Sequence, residues 1–133
     1  MSDLFLDTNI CVYGFDDSNI VKQDTALGLL KDKPRISSQV IIETYITCSR
    51  KLKLPPATCE NITRLLCEIT AVMPIDSSVF AIALKFKARF QFSFLDAVIV
   101  ASALEAGCTT LYSEDLHHGL VIENKLTIVN PFI

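Results

Sequence analysis

FSFLDAVIVASALEAGC, residues 92–108, holds the strongest structural signal in the chain. Set at 100° per residue, positions 94–106 are apolar or small nearly all the way round, broken only by Asp96, Ser102 and Glu105. A helix of that composition has no face for water and packs in the interior of a domain. Gly107 supplies the expected stop, and the apolar run at 109–112 reads as a strand leaving the helix. A buried helix feeding directly into a strand is the unit from which layered α/β folds are assembled.

The same alternation extends in both directions. Residues 4–6 form a short apolar run closed by Asp7, Thr8 and Asn9. A helix is expected from about 18 to 32, with Ser18 as N-cap, then a brief strand at 35–37 and a helix through 51. Pro55 and Pro56 break the chain and open another helix to about 69, since proline suits a first helical turn. A strand at 71–75 follows, pushed toward an edge by Pro74. Asp76 is placed to cap a helix to about 90. Beyond 112, a last strand covers 126–129. Strands separated by helices require crossovers. The expectation is therefore α/β: a three-layer α/β/α sandwich with a mainly parallel central sheet of about five strands, in one domain spanning residues 1–133.

Composition sets limits on function. Half of the 133 residues are hydrophobic, enough for one substantial core, and only 4 glycines and 5 prolines argue against a disordered or loop-rich chain. The 5 cysteines are scattered and never spaced CxxC, which speaks against zinc ligation and a disulfide framework and for a reducing compartment. No run approaches the ~18 apolar residues of a spanning helix, and the start of the chain lacks a signal-peptide pattern. A cytoplasmic protein without membrane attachment is expected. The net charge of −3 is unlike the basic balance of most nucleic-acid binders. Any RNA contact would depend on a local cluster, and Arg50, Lys51 and Lys53 form the densest.

Four acids stand out by position. In open parallel sheets functional groups collect beyond the carboxyl ends of strands. Asp7 follows the first strand and Asp115 lies just past the fourth. Asp76 obeys the same rule but is accounted for as an N-cap. Asp96, in the first turn of the buried helix, would be partly desolvated, which is costly without a partner. Ser93 could supply one through a capping box; a cation is the alternative. On the helix at 38–51, Ile41, Tyr45, Cys48 and Leu52 mark an apolar stripe with Glu43 nearly opposite. Taken alone, Glu43 is a solvent-facing glutamate. Glu114 competes with Asp115 as its neighbour. His117 and His118 fall in a polar turn and read as surface residues.

Four segments around these acids resemble, in order along the chain, the PIN-domain family, in particular the VapC-like toxins of toxin–antitoxin pairs. LFLDTNICVY (4–13) is similar to the family's first strand and aspartate, SSQVIIETYITCSRKL (37–52) to its helix-borne second acid, FSFLDAVIVASALEAGC to the third, and TTLYSEDLHHG (109–119) to the fourth. LTIVNPF (126–132) is similar to the family's ending. The resemblance implies an endoribonuclease using Mg²⁺ or Mn²⁺ held by Asp7, Glu43, Asp96 and Asp115, with Asn9 and Ser113 as supporting residues. It favours Asp115 over Glu114. It further implies an RNA substrate, products bearing 5′-phosphate and 3′-hydroxyl ends, a cognate antitoxin that inserts a side chain into the acidic pocket, and a homodimer.

Two other readings compete. A haloacid-dehalogenase-like phosphatase also carries an aspartate after its first strand, but wants a second aspartate two residues on, where this chain has Asn9. A non-catalytic binding module with a vestigial pocket has no reason to keep all four acids.

Overall fold

The computed structural model describes residues 3–133. The elements run β1 (Leu4–Leu6), α1 (Thr8–Tyr13), α2 (Ile20–Leu30), β2 (Arg35–Ser37), α3 (Ser38–Arg50), α4 (Pro56–Ile69), β3 (Ala71–Met73), α5 (Ser77–Phe90), α6 (Phe94–Glu105), β4 (Thr110–Tyr112), β5 (Val121–Ile122) and β6 (Leu126–Val129). The sheet order is β3-β2-β1-β4-β6-β5. All pairings are parallel except β5 with β6. The fold is α/β, as its alternation requires, and β3, with Pro74 just beyond it, is indeed at an edge.

The sheet has six strands where about five were expected. The extra one, β5, is two residues long and pairs antiparallel with β6 through Ile122 opposite Leu126. Its turn places Glu123 and Asn124 at φ of +56° and +55°, with the Lys125 N–H donating to the Ile122 carbonyl at 3.0 Å. Two consecutive positive φ values make the hairpin turn whose twist matches the strands. That turn usually advertises itself with glycine, and Glu-Asn gives no such signal.

Two helix starts also differ. α1 was not anticipated; Asp7 caps it, its carboxylate accepting from the Thr8 N–H at 2.7 Å. α2 is capped by Asn19, whose Oδ1 accepts from the Lys22 N–H at 3.2 Å. Ser18 is engaged instead with the Asp16 carboxylate. The other predicted N-cap, Asp76, does cap α5, accepting from the Ser78 and Val79 N–H groups at 3.1 and 3.3 Å.

The helices fall into two packing sets: α1, α2, α3 and α4 contact one another, while α5 lies along α6. From Ala97 to Ala103 every residue of α6 is buried, which is why its sequence lacks an amphipathic period. Burial of Val98, Ile99 and Val100 alone stabilises by roughly 1.5–3 kcal/mol each. Phe5, Leu6, Ile36, Leu111 and Ile128 fill the sheet side of the same core. Cys11, Cys48, Cys59 and Cys108 are buried free thiols. Among the described residues no helix is long and apolar enough to cross a membrane.

β1 is the pivot. Its successor β2 lies on one side and β4 on the other, so strand order reverses at the β1/β4 pair. Open parallel sheets bind ligands in the crevice beyond such a reversal.

Candidate active site

Leu6 is in register with Tyr112, and the Asp7 N–H extends the ladder by donating to the Tyr112 carbonyl at 3.0 Å. The residues that follow the two strands, Asp7 and Ser113, therefore emerge side by side. A cleft of about 270 Å³ opens above them, lined by Asp7, Glu43, Asp96 and Asp115 together with Thr8 and Asn9. Acids separated by up to 108 positions thus face one space. Tertiary structure brings all four together.

Asp7 is at the floor and buried. Its Oδ1 accepts the Thr8 N–H, and its Oδ2 accepts the Ser113 hydroxyl at 2.8 Å and the Asn9 Nδ2 at 3.5 Å. Burial pushes its pKa from 3.8 to about 6; the Ser113 and Thr8 hydrogen bonds oppose the rise, and the charges of Asp96 and Glu43 add to it. Asp96 is half-buried, and its carboxyl is likewise raised, by burial and by the charges of Asp115 and Glu43, against a hydrogen bond with Ser93. The Ser93 hydroxyl accepts the Asp96 N–H at 3.2 Å, which is one arm of the capping box considered from sequence.

Glu43 corrects an expectation. α3 buries Gln39, Val40, Thr44 and Cys48, and leaves Tyr45 exposed. Of the stripe drawn through Ile41, Tyr45, Cys48 and Leu52, Cys48 is in the core and Ile41 and Leu52 pack against it, while Tyr45 is not buried. Glu43 is half-buried and faces the cleft, where its Oε1 accepts the Thr8 hydroxyl at 2.6 Å and its Oε2 accepts the Gln39 Nε2 at 3.2 Å. Periodicity equates polar with solvent-facing, and a polar cleft defeats that equation. The same Gln39 amide donates to the Leu95 carbonyl at 3.1 Å, tying α3 to the first turn of α6 beside Asp96.

Asp115 is exposed at the cleft mouth. The Asn9 Nδ2 donates to it at 3.0 Å, so one amide spans the Asp7 and Asp115 carboxylates. The buried Ser113 hydroxyl, besides donating to Asp7, accepts the Asp115 and Leu116 N–H groups, both at 3.2 Å. An Asn9 so engaged has no acid proton to give, which removes the feature a phosphatase would need there.

Glu114 also lines the cleft, but its carboxylate is held by Lys22 and by the Tyr13 hydroxyl at 2.6 Å. Burial works against its ionisation; hydrogen bonds from Lys22 and Tyr13 and the Lys22 charge outweigh that, so its carboxyl lies below the usual range. Glu114 is a paired acid. His117 and His118 are exposed and outside the cleft lining, the His118 Nδ1 accepting the Asn130 N–H at 2.9 Å. Asp76 serves α5 and is likewise outside it. Thr8 and Gln39 were not singled out from sequence. Thr8 could have been, since it follows Asp7 directly; Gln39 acts only through the meeting of α3 with α6.

The donor set is all oxygen, and the charges acting on Asp7 and Asp96 are all negative. Such a set fits a hard divalent cation. Among the described residues no three Asp, Glu, His or Cys side chains converge on a point where they would ligate one ion together. The carboxylates are instead spaced by Thr8, Asn9 and Ser113. That spacing suits Mg²⁺, which takes one or two carboxylates and keeps several waters.

Comparison with known proteins gives a consistent answer. The PIN domain profile matches residues 4–120. No curated protein matches the sequence. Among solved structures, the chain is similar to VapC20 of Mycobacterium tuberculosis, a sarcin-ricin loop cleaving toxin (TM-score 0.70, 19% identity, covering 84% of this chain and 89% of that one). It is similar also to a toxin–antitoxin complex from Klebsiella pneumoniae (0.72, 18%, 96% and 97%). A third is VapBC2 of Rickettsia felis bound to a promoter DNA fragment (0.70, 18%, 96% and 98%). At these identities the likeness is one of fold.

Proposed function

Because the chain belongs to the PIN-domain family, we propose that it is a metal-dependent endoribonuclease, the toxin of a toxin–antitoxin pair. The observation that carries this reading is the cleft itself: four carboxylates from four different elements, with only negative charge acting on the buried one. Without a cation such an arrangement is destabilising, and a fold has little reason to assemble it for structure alone.

Asp7, Asp96, Glu43 and Asp115 would hold the Mg²⁺ or Mn²⁺. When bound, the ion supplies relief of the charge that develops on a phosphodiester and makes water more acidic. The protein's contribution is orientation. Ser113 and the Thr8 N–H fix both oxygens of Asp7, Asn9 sets Asp115 against it, and Thr8 and Gln39 hold Glu43. With both histidines outside the cleft, the chain has no imidazole pair for the cyclic-phosphate route. Hydrolysis should leave 5′-phosphate and 3′-hydroxyl ends.

A cytoplasmic location, a cognate antitoxin that covers the acidic cleft, and a homodimer complete the reading. The toxin–antitoxin character of structures that share the fold supports the antitoxin. The test is cleavage of total cellular RNA by the purified chain. Activity should require Mg²⁺ or Mn²⁺, vanish with EDTA, and collapse in Asp96→Asn, which keeps the shape and removes the anionic ligand. The protein encoded by an adjoining reading frame should suppress it, and sedimentation should show two copies. Full Mg²⁺-dependent cleavage by Asp96→Asn, or no cleavage by the parent, would defeat the proposal.

A further inference from the structure

Two lysines stand near the cleft, in different states. The Lys22 ammonium is fully engaged: it donates to Glu114 and to the Tyr13 hydroxyl at 3.3 Å, and lies 4.8 and 5.1 Å from the ring centroids of Tyr13 and Phe132. Lys51 lines the cleft directly, beside Thr47 and Leu52. Its backbone closes α3, the N–H donating to the Thr47 carbonyl at 2.8 Å. Its side chain is exposed and, among the described residues, makes no hydrogen bond or salt bridge, although its charge acts at longer range on Glu114. Arg50 and Lys53, the other members of the basic cluster, are outside the lining.

An ammonium in an acid-lined cleft that forms no direct contact with any of the acids needs an explanation. Asp7, Glu43 and Asp115 accept from neutral donors, Thr8, Asn9, Gln39 and Ser113, and Glu114 from Lys22 and Tyr13, so none of these carboxylates takes a hydrogen bond from Lys51. The charge stays available to an anion entering from solvent. A polyanion approaching this site meets net repulsion from the acids, and a cation on its path offsets part of that. We propose that Lys51 is a substrate-positioning residue that holds a non-scissile phosphate of the RNA; this rests on the nuclease reading above. Lys51 lies eight residues beyond Glu43 along α3, about 12 Å at the helical rise, so the phosphate it meets is a neighbour of the one at the acids.

The experiment measures binding apart from cleavage. A fluorescein-labelled, mixed-sequence single-stranded RNA is titrated into Asp96→Asn protein with Mg²⁺ over a range of KCl. The exposed Asp115→Asn provides a second silent background if the first misfolds. Adding Lys51→Gln should weaken binding about fivefold near 0.1 M salt and lower the slope of log K against log[salt] by about 0.7, one phosphate's share on a single strand. Lys51→Arg should restore parental binding, and Lys53→Gln should leave affinity within twofold. Equal binding by Lys51→Gln and Lys53→Gln would overturn the inference while leaving metal-dependent cleavage by the parent intact. A parent that never cleaves, yet binds RNA in a Lys51-dependent way, would overturn the nuclease reading and with it the positioning role, leaving Lys51 an RNA-phosphate contact only.

Discussion

Asp7 concentrates the energetic cost of this site. Its carboxyl titrates at about 6 in the fold against 3.8 for an ordinary aspartate. The unfolded chain therefore loses this proton first as pH rises. Between those values the native state binds more protons, so this group's contribution to stability falls with increasing pH and is fully unfavourable above the folded pKa. The size is on the order of 3 kcal/mol. Ion-free Asp7→Asn keeps an acceptor for the Thr8 N–H, turns the atom facing Ser113 into a donor at a cost that does not depend on pH, and has nothing to titrate. Urea unfolding in EDTA should show the variant gaining on the parent by about that amount between pH 4 and pH 7. A stability difference that does not vary with pH would refute the desolvation argument. Asp7, Asp96 and Asp115 were legible as candidates because strand ends and a buried helix are themselves legible. Glu43 was legible only through the family resemblance and not from periodicity, since its orientation depends on where α3 lies against the cleft.

At the scale of elements, α6 carries Asp96 in its first turn and must end cleanly to deliver the chain into β4. Gly107 does this at φ +75°, with open space where a side chain would begin. A substitution there meets strain without collision, so the cost is purely conformational. Gly107→Ala should lose about 1 kcal/mol in chemical denaturation, and Gly107→Asn distinctly less, because asparagine tolerates the left-handed region. Equal losses would mean the side chain collides after all. The glycine stop and the α4, α5 and α6 spans were readable because capping residues and proline act locally. α1 and β5 were not, being six and two residues long with ends set by contacts remote in sequence, such as Asp7 with Ser113 and β5 with β6.

In the whole molecule, the acids share a cleft only when β1, α3, α6 and the loop after β4 are assembled. A cation that needs several of them binds the folded chain and ignores the unfolded one, so it stabilises by mass action. At a hundred times its Kd, Mg²⁺ should add about 2.7 kcal/mol, raising the melting temperature by roughly 10 °C for a chain of this size. Much of that shift should disappear in Asp96→Asn; a melting temperature indifferent to the ion would take the metal out of the proposed function. The alternation of strands and helices, the burial of α6 and the placing of three acids at element ends are all written in the order of residues. Those follow from short-range physics: apolar period, caps and chain breakers. Only the tertiary structure decided that Glu43 joins the cleft, that Glu114 is neutralised by Lys22, and that Lys51 alone of its basic cluster lines the opening. Each of these turns on which helix flank meets which neighbour, a property of packing between distant segments that no local pattern encodes.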